Sequence, residues 1–135
     1  MDNARFSTAL HIMSLLAMDE QAWLTSRHIA GSINMQAAAV RKELTVLRAA
    51  GLVTSREGKH GGVKLGRPAS GIRLSEIYET VSKPDKSEKI KSPNPGCFVG
   101  KQINFQLNSL FSTLDEAILK EMKQLSLAQF YQRFS

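Results

Sequence analysis

Apolar residues recur at helical intervals from Ala4 to Met18, where Phe6, Ala9, Leu10, Met13, Leu16 and Ala17 share one side of a helix. The spacing predicts an amphipathic first helix with its stripe toward the core. In WLTSRHIAGSIN, Thr25 stands at an N-cap position ahead of a short helix that buries Ile29, Ala30 and Ile33. Asn34 marks the turn that follows. A third helix is expected from about Gln36 to Ala50, with Val40, Leu44 and Leu47 inward and Gly51 as the left-handed residue that ends it.

The period then changes. LVTS and VKL are short strand-like runs on either side of Arg56 to Gly62, which reads as a β-hairpin with a glycine-rich loop. Pro68 ends the second strand. Ile72 to Val81, apolar at Leu74, Ile77 and Val81, predicts a fourth helix with Ser75 near its start. Ser82 to Gly96 holds three prolines and four lysines and reads as a mobile connection. Beyond it, Ile103, Leu107, Leu110, Leu114, Ala117 and Met122 approximate a 3,4 repeat, widened by Phe111, Ile118 and Leu125, so a long helix is expected from about Cys97 to Leu125. So much apolar surface must pack on the domain, on a second copy, or on both. Ser126 to Phe134 reads as a tail helix with Leu127, Phe130 and Phe134 turned inward.

This order of elements implies a mainly α fold with a small β-hairpin, that is, a winged helix-turn-helix domain followed by a long C-terminal helix. The expected division is a winged helix-turn-helix unit over 1–81, a flexible basic loop over 82–96, and the long helix and tail over 97–135, which the family resemblance described below makes a DNA-binding domain and a dimerisation helix.

Composition narrows the class. At 135 residues, 42% hydrophobic and 22% charged, the chain has the make-up of one globular domain. No apolar run approaches the roughly 20 residues of a membrane span, and the N-terminal stretch lacks a basic segment followed by an apolar block. Cys97 is the single cysteine, which excludes an intramolecular disulfide and a multi-cysteine zinc site. A cytoplasmic location is the expectation. The net charge of +6 is unevenly placed. Residues 1–35 hold two Lys/Arg against three acids, residues 36–75 hold eight against two, and residues 76–135 hold eight against seven. The excess lies in the third helix and the hairpin, the footprint expected for a polyanionic partner.

In a winged helix-turn-helix the helix after the turn enters a major groove about 12 Å wide, and the hairpin reaches the backbone or the neighbouring minor groove. With Val40 pointing inward, Ala38 and Lys42 point nearly opposite, with Ala39, Arg41 and Thr45 on the flanks and Gln36 at the tip. Ala37, Ala38 and Ala39 let the helix approach base edges closely, although alanine also simply favours helix. Arg41 suits guanine, Lys42 phosphate and Gln36 adenine. At the hairpin tip, Gly58, Gly61 and Gly62 permit positive φ and close approach to a sugar-phosphate chain, to which Arg56, Lys59 and His60 are offered. Thr25, Ser26 and Arg27 would anchor backbone at the preceding helix.

The segments LRAAGLVTS, G..GGV.L and I.LSEIYE together resemble the IscR-like family of bacterial winged-helix transcriptional regulators, named for Rrf-two and including the NsrR and CymR types. With the first and the long helix, the resemblance covers nearly the whole chain. It implies a homodimer held by the long helix, bound to a partly palindromic operator on double-stranded DNA, with repression by occupancy. Two departures stand out. Glu57 precedes Gly58 where the family wing commonly carries arginine, and Val63 follows Gly62 where tyrosine is common. An acid there repels phosphate, so Arg56, Lys59 or His60 would take over the contact. Members that sense oxygen, nitric oxide or iron-sulfur status place three cysteines near the start of the long helix. With Cys97 alone, no iron-sulfur cluster and no other cofactor is expected.

Cys97 follows Pro95-Gly96 and is expected in the first turn of the long helix, with Lys101 four residues on. There it is either a thiol switch or an inert, partly buried remnant of a ligand position. His11, His28 and His60 fall on three different elements without ligand spacing, so no metal site is expected. No catalytic triad or phosphate-binding loop is legible, and the chain does not read as an enzyme. Two further partners remain open: an acidic protein bound by the basic face, and a small-molecule effector near the dimer helices.

Overall fold

A computed structural model describes residues 4–82 and 93–134. Among the described residues, six α-helices surround one core, with a two-stranded antiparallel hairpin on one flank. Helix α1, Ala4–Met18, buries Ala9, Ile12, Met13 and Leu16 along one face. Phe6 meets Tyr78 edge to face, with ring centroids 5.4 Å apart.

Helix α2, Ser26–Ile33, starts where Thr25 Oγ1 accepts the His28 N–H at 3.0 Å and ends at Asn34, left-handed at φ 58°. Both positions were legible because each depends on its immediate neighbours. Helix α3, Ala37–Ala49, buries Val40, Leu44 and Leu47. Gly51 closes it at φ 78°, and the Leu52 N–H donates back to the Leu47 carbonyl at 3.0 Å. That left-handed step turns the chain directly into the hairpin.

Strands β1, Val53–Arg56, and β2, Gly62–Leu65, pair with Val53 opposite Leu65 and Arg56 opposite Gly62. Val53, Val63 and Leu65 enter the core, while Thr54 and Lys64 lie on the other face. The hairpin has a third edge that the sequence did not reveal. Leu24 pairs with Val63 through reciprocal bonds of 2.9 and 2.7 Å, so the segment before α2 extends the sheet by one bridge.

After β2 a 3-10 turn spans Ala69–Gly71, tied to the end of α1 because the Ala69 N–H donates to Glu20 Oε1 at 2.8 Å. Helix α4, Leu74–Val81, begins later than Ile72. Its N-cap is Arg73, whose N–H donates to Glu76 Oε2 at 2.8 Å, and Ser75 is buried in the first turn instead of capping it. The flexible basic loop read over 82–96 lies mostly outside the described residues.

Helix α5, Phe98–Lys123, is long as expected, but Cys97 is its exposed N-cap residue and belongs neither to the first turn nor to a partly buried site. A short helix α6, Leu127–Tyr131, follows behind a reciprocal cap: Ser126 Oγ accepts the Gln129 N–H at 3.0 Å and Gln129 Oε1 accepts the Ser126 N–H at 2.9 Å. The tail returns to the body of the domain. Arg73 and Ser126 form an antiparallel bridge, the Leu127 N–H donates to the Ile72 carbonyl at 2.8 Å, and Leu127 is fully buried in the common core. Phe130 is half-buried as expected, whereas Phe134 is 53% exposed and its ring meets those of Phe130 and Tyr131. With Leu127 already filling the core, the last turn overshoots it.

Candidate nucleic-acid interface

Helix α3 presents Ala38, Arg41, Lys42, Thr45 and Arg48 on its exposed side, with Gln36 exposed as its N-cap and Ala39 half-buried. Ala37 is half-buried and packs against the core. Thr25, Ser26 and Arg27 lie at the start of α2, with Arg27 exposed and the Thr25 hydroxyl already accepting its capping bond. Lys59 and His60 are exposed at the tip of the hairpin.

Charge on this face is sorted by one ion pair. Glu43 is the acid of α3, and Arg5 on α1 draws it back with a two-pronged contact at 3.3 and 3.2 Å. Arg41, Lys42 and Arg48 are left without a carboxylate partner among the described residues. A groove between α3 and the hairpin is lined by Ser26, Arg41, Thr45, Arg48, Arg56 and Gly62. Arg48 Nη1 donates to the hydroxyl of Ser55 at 3.1 Å, tying the helix to β1. Three guanidinium groups thus share one concave surface, and among the described residues none of them pairs with a carboxylate.

Arg48 escaped the sequence reading although it stands seven residues after Arg41, two full helical turns, and so returns to the same side of α3. Trp23 and Lys64 also belong to this flank. The Arg56 guanidinium lies 4.4 Å and the Lys64 ammonium 4.7 Å from the Trp23 ring centroid. The neighbouring Leu24 packs inward, so alternation across the bridge sends Trp23 to the outer face. Arg56 also donates from Nη2 to the His60 carbonyl at 2.6 Å.

The glycines of the tip have different physical reasons. Gly58 and Gly62 adopt φ of 100° and 149°, but Gly61 does not take a positive φ, and a Cβ there would run into the Arg56 carbonyl oxygen. At Gly62 a Cβ would stand 2.6 Å from the Leu24 carbonyl oxygen. Close approach of the chain to itself therefore accounts for Gly61 and Gly62.

Residues 3–133 match the model of the Rrf2 family, described as an iron-dependent transcriptional regulator. The chain belongs to the Rrf2 family. YwnA of Bacillus subtilis (strain 168), provisionally named an HTH-type transcriptional regulator, is 36% identical over 128 residues, 94% of each chain. The crystal structure of a protein provisionally described as DNA-binding is 34% identical, with a TM-score of 0.72 over 94% of this chain and 98% of that one. CymR of B. subtilis, the global cysteine regulator, shares the fold at a TM-score of 0.74 and 20% identity, over 100% of this chain and 98% of that one. This Rrf2 chain is a DNA-binding transcriptional regulator, not an enzyme.

The iron dependence in the family description does not fit the donors present. The chain has one cysteine, exposed at the α5 N-cap, and among the described residues no three His, Cys, Asp or Glu side chains gather where they could hold a metal ion. Also among the described residues, no helix is long and apolar enough to cross a membrane.

Proposed function

We propose that this regulator is a cytoplasmic homodimeric repressor that occupies a partly palindromic operator. Helix α3 supplies the base-facing side chains Gln36, Ala38, Ala39, Arg41 and Lys42. Thr25, Ser26 and Arg27 hold backbone at the start of α2, and Lys59 and His60 meet phosphate from the hairpin. The division into a DNA-binding unit, a connecting loop and a dimerisation helix belongs to the same reading.

The observation that carries the dimer is α5. None of its 26 residues is buried, and Phe98, Val99, Phe105, Leu110 and Leu114 are 77%, 60%, 72%, 54% and 42% exposed. So much exposed apolar surface on one helix signals an interface. Leu110 and Leu114 lie on the side opposite Phe98 and Phe105, at 100° per residue, so a partner that covers them all must wrap around the helix. A two-fold dimer presents two α3 helices, which is why a palindromic site suits it.

Light scattering across a dilution series tests the reading directly. The native protein is expected to have twice the chain mass, and the pair Leu110→Glu and Leu114→Glu to have one. Selection of genomic fragments by the native protein should then recover inverted half-sites. A native protein that remains a single chain at high concentration, or recovers only unpaired half-sites, overturns the proposal.

A further inference from the structure

The outer face of the hairpin carries an arrangement that direct DNA contact does not explain. Trp23 is the only tryptophan of the chain and is half-buried beside the wing. Two cations from two different strands converge on its ring, Arg56 from β1 at 4.4 Å and Lys64 from β2 at 4.7 Å. The bridge between Leu24 and Val63 sets Trp23 alongside Lys64. The cross-strand neighbour of Arg56 is Gly62, which has no side chain to stand between Arg56 and Trp23. The far end of Arg56 is engaged as well, because Nη2 donates to the His60 carbonyl at 2.6 Å. Arg56 therefore spans from the aromatic ring to the tip of the loop.

We propose that Trp23 is a positioning residue for DNA binding, which sets the wing by holding Arg56 and Lys64, and that Arg56 is a strut of the wing instead of a phosphate contact. A cation held over an aromatic face is attracted to its quadrupole, and two such contacts from two strands fix the tilt of the hairpin relative to α2. The Arg56 bond to His60 extends that restraint to the loop that carries Lys59. Lys59 is then presented to the backbone beside Glu57, at the position where an acid alone would repel it. This role rests on the DNA-binding function of the family and adds to it a residue that never touches DNA.

The test compares Trp23→Phe with Trp23→Leu, which both fill the site with apolar volume but differ in having a ring. Binding is measured by anisotropy on a labelled random-sequence duplex across a salt series, because the wing contact is to backbone. Trp23→Phe is expected to stay within about twofold of the native affinity, and Trp23→Leu to lose roughly fivefold to thirtyfold, the scale of two exposed cation–aromatic contacts. Arg56→Gln should lose a similar factor without flattening the salt slope, since no phosphate contact is removed. Combining Arg56→Gln with Trp23→Leu should lose no more than either alone. In the free native protein the Trp23 emission should shift on Arg56→Gln and on Lys64→Gln.

Equal affinities of the Phe and Leu variants would overturn the positioning role. A salt slope lowered by about one unit in Arg56→Gln, or additive losses in the double variant, would make Arg56 a phosphate contact and overturn the strut. Failure of the native protein itself to bind the duplex would count against the DNA-binding reading and is distinguished by that control.

Discussion

Gly62→Ala probes the contact on which the whole wing rests. The residue sits at φ 149°, and a Cβ there would stand 2.6 Å from the Leu24 carbonyl oxygen and 2.8 Å from its carbon. An L-residue held in that backbone conformation costs about 1–3 kcal/mol. The clash can be relieved only by moving Leu24 away, and its carbonyl is the acceptor of the 2.7 Å bond from the Val63 N–H, reciprocated at 2.9 Å by the Leu24 N–H. Losing those two bonds costs about 1 kcal/mol each. The expected destabilisation is therefore about 3–5 kcal/mol. Gly58→Ala is the control, because Gly58 has φ 100° but nothing within 4 Å of its would-be Cβ. It bears the backbone cost alone, about 1–2 kcal/mol. Urea unfolding followed by far-ultraviolet circular dichroism measures both. Equal losses in the two variants would refute the close approach as the reason for Gly62.

Three further outcomes follow from the same structure. Leu127→Ala should cost about 2–5 kcal/mol in unfolding experiments, because the side chain is fully buried although it comes from the tail. Burial pulls the Glu76 carboxyl upward, but the Arg73 N–H, the Arg67 hydrogen bond and the charges of Arg67 and Arg73 outweigh it and hold its pKa below the ordinary value. With the folded pKa lowered, its contribution is present above the unfolded value of about 4.3 and is lost as pH falls through the folded one. The Arg67 and Glu76 side chains are 42% and 39% exposed, so acid titration of stability should show under about 1 kcal/mol that Glu76→Gln abolishes. Arg41→Ala should weaken binding to a selected operator by about 1–3 kcal/mol and relax one base position; an equal loss on random DNA would make it a phosphate contact.

What could be read in advance was what neighbours in the chain decide. Thr25 caps α2, Asn34 marks the turn and Gly51 ends α3 in the left-handed conformation, because each choice depends on hydrogen bonds and backbone sterics within a few residues. The buried stripe of Val40, Leu44 and Leu47 follows from periodicity alone, and so does the opposite placement of Arg41 and Lys42. The basic excess of residues 36–75 pointed to the same face.

Contacts between distant segments carried no such signal. Nothing local to Leu24 shows that it pairs with Val63, or that Trp23 collects Arg56 and Lys64, since both depend on how α2 docks against the hairpin. The pairing of Arg5 with Glu43 joins residues 38 apart and decides which charges of α3 remain open. Ser75 and Phe134 show the converse. A serine near a helix start and a phenylalanine at helical spacing were given the roles their types suggest, but packing buried the first and left the second exposed.

The sequence by itself determined the elements, their order, the left-handed turns and the sign of the charge on α3, because these follow from steric and periodic rules that act over a few residues. Tertiary structure alone decided that Arg5 pairs with the acid of α3 and that Arg56 and Lys64 meet over the Trp23 ring. It also decided why Gly61 and Gly62 must lack a side chain, and that the tail closes the core through Leu127. Those outcomes depend on chain segments that meet only after folding, where the burial of a side chain or the pairing of a charge is set by whatever the opposing surface offers.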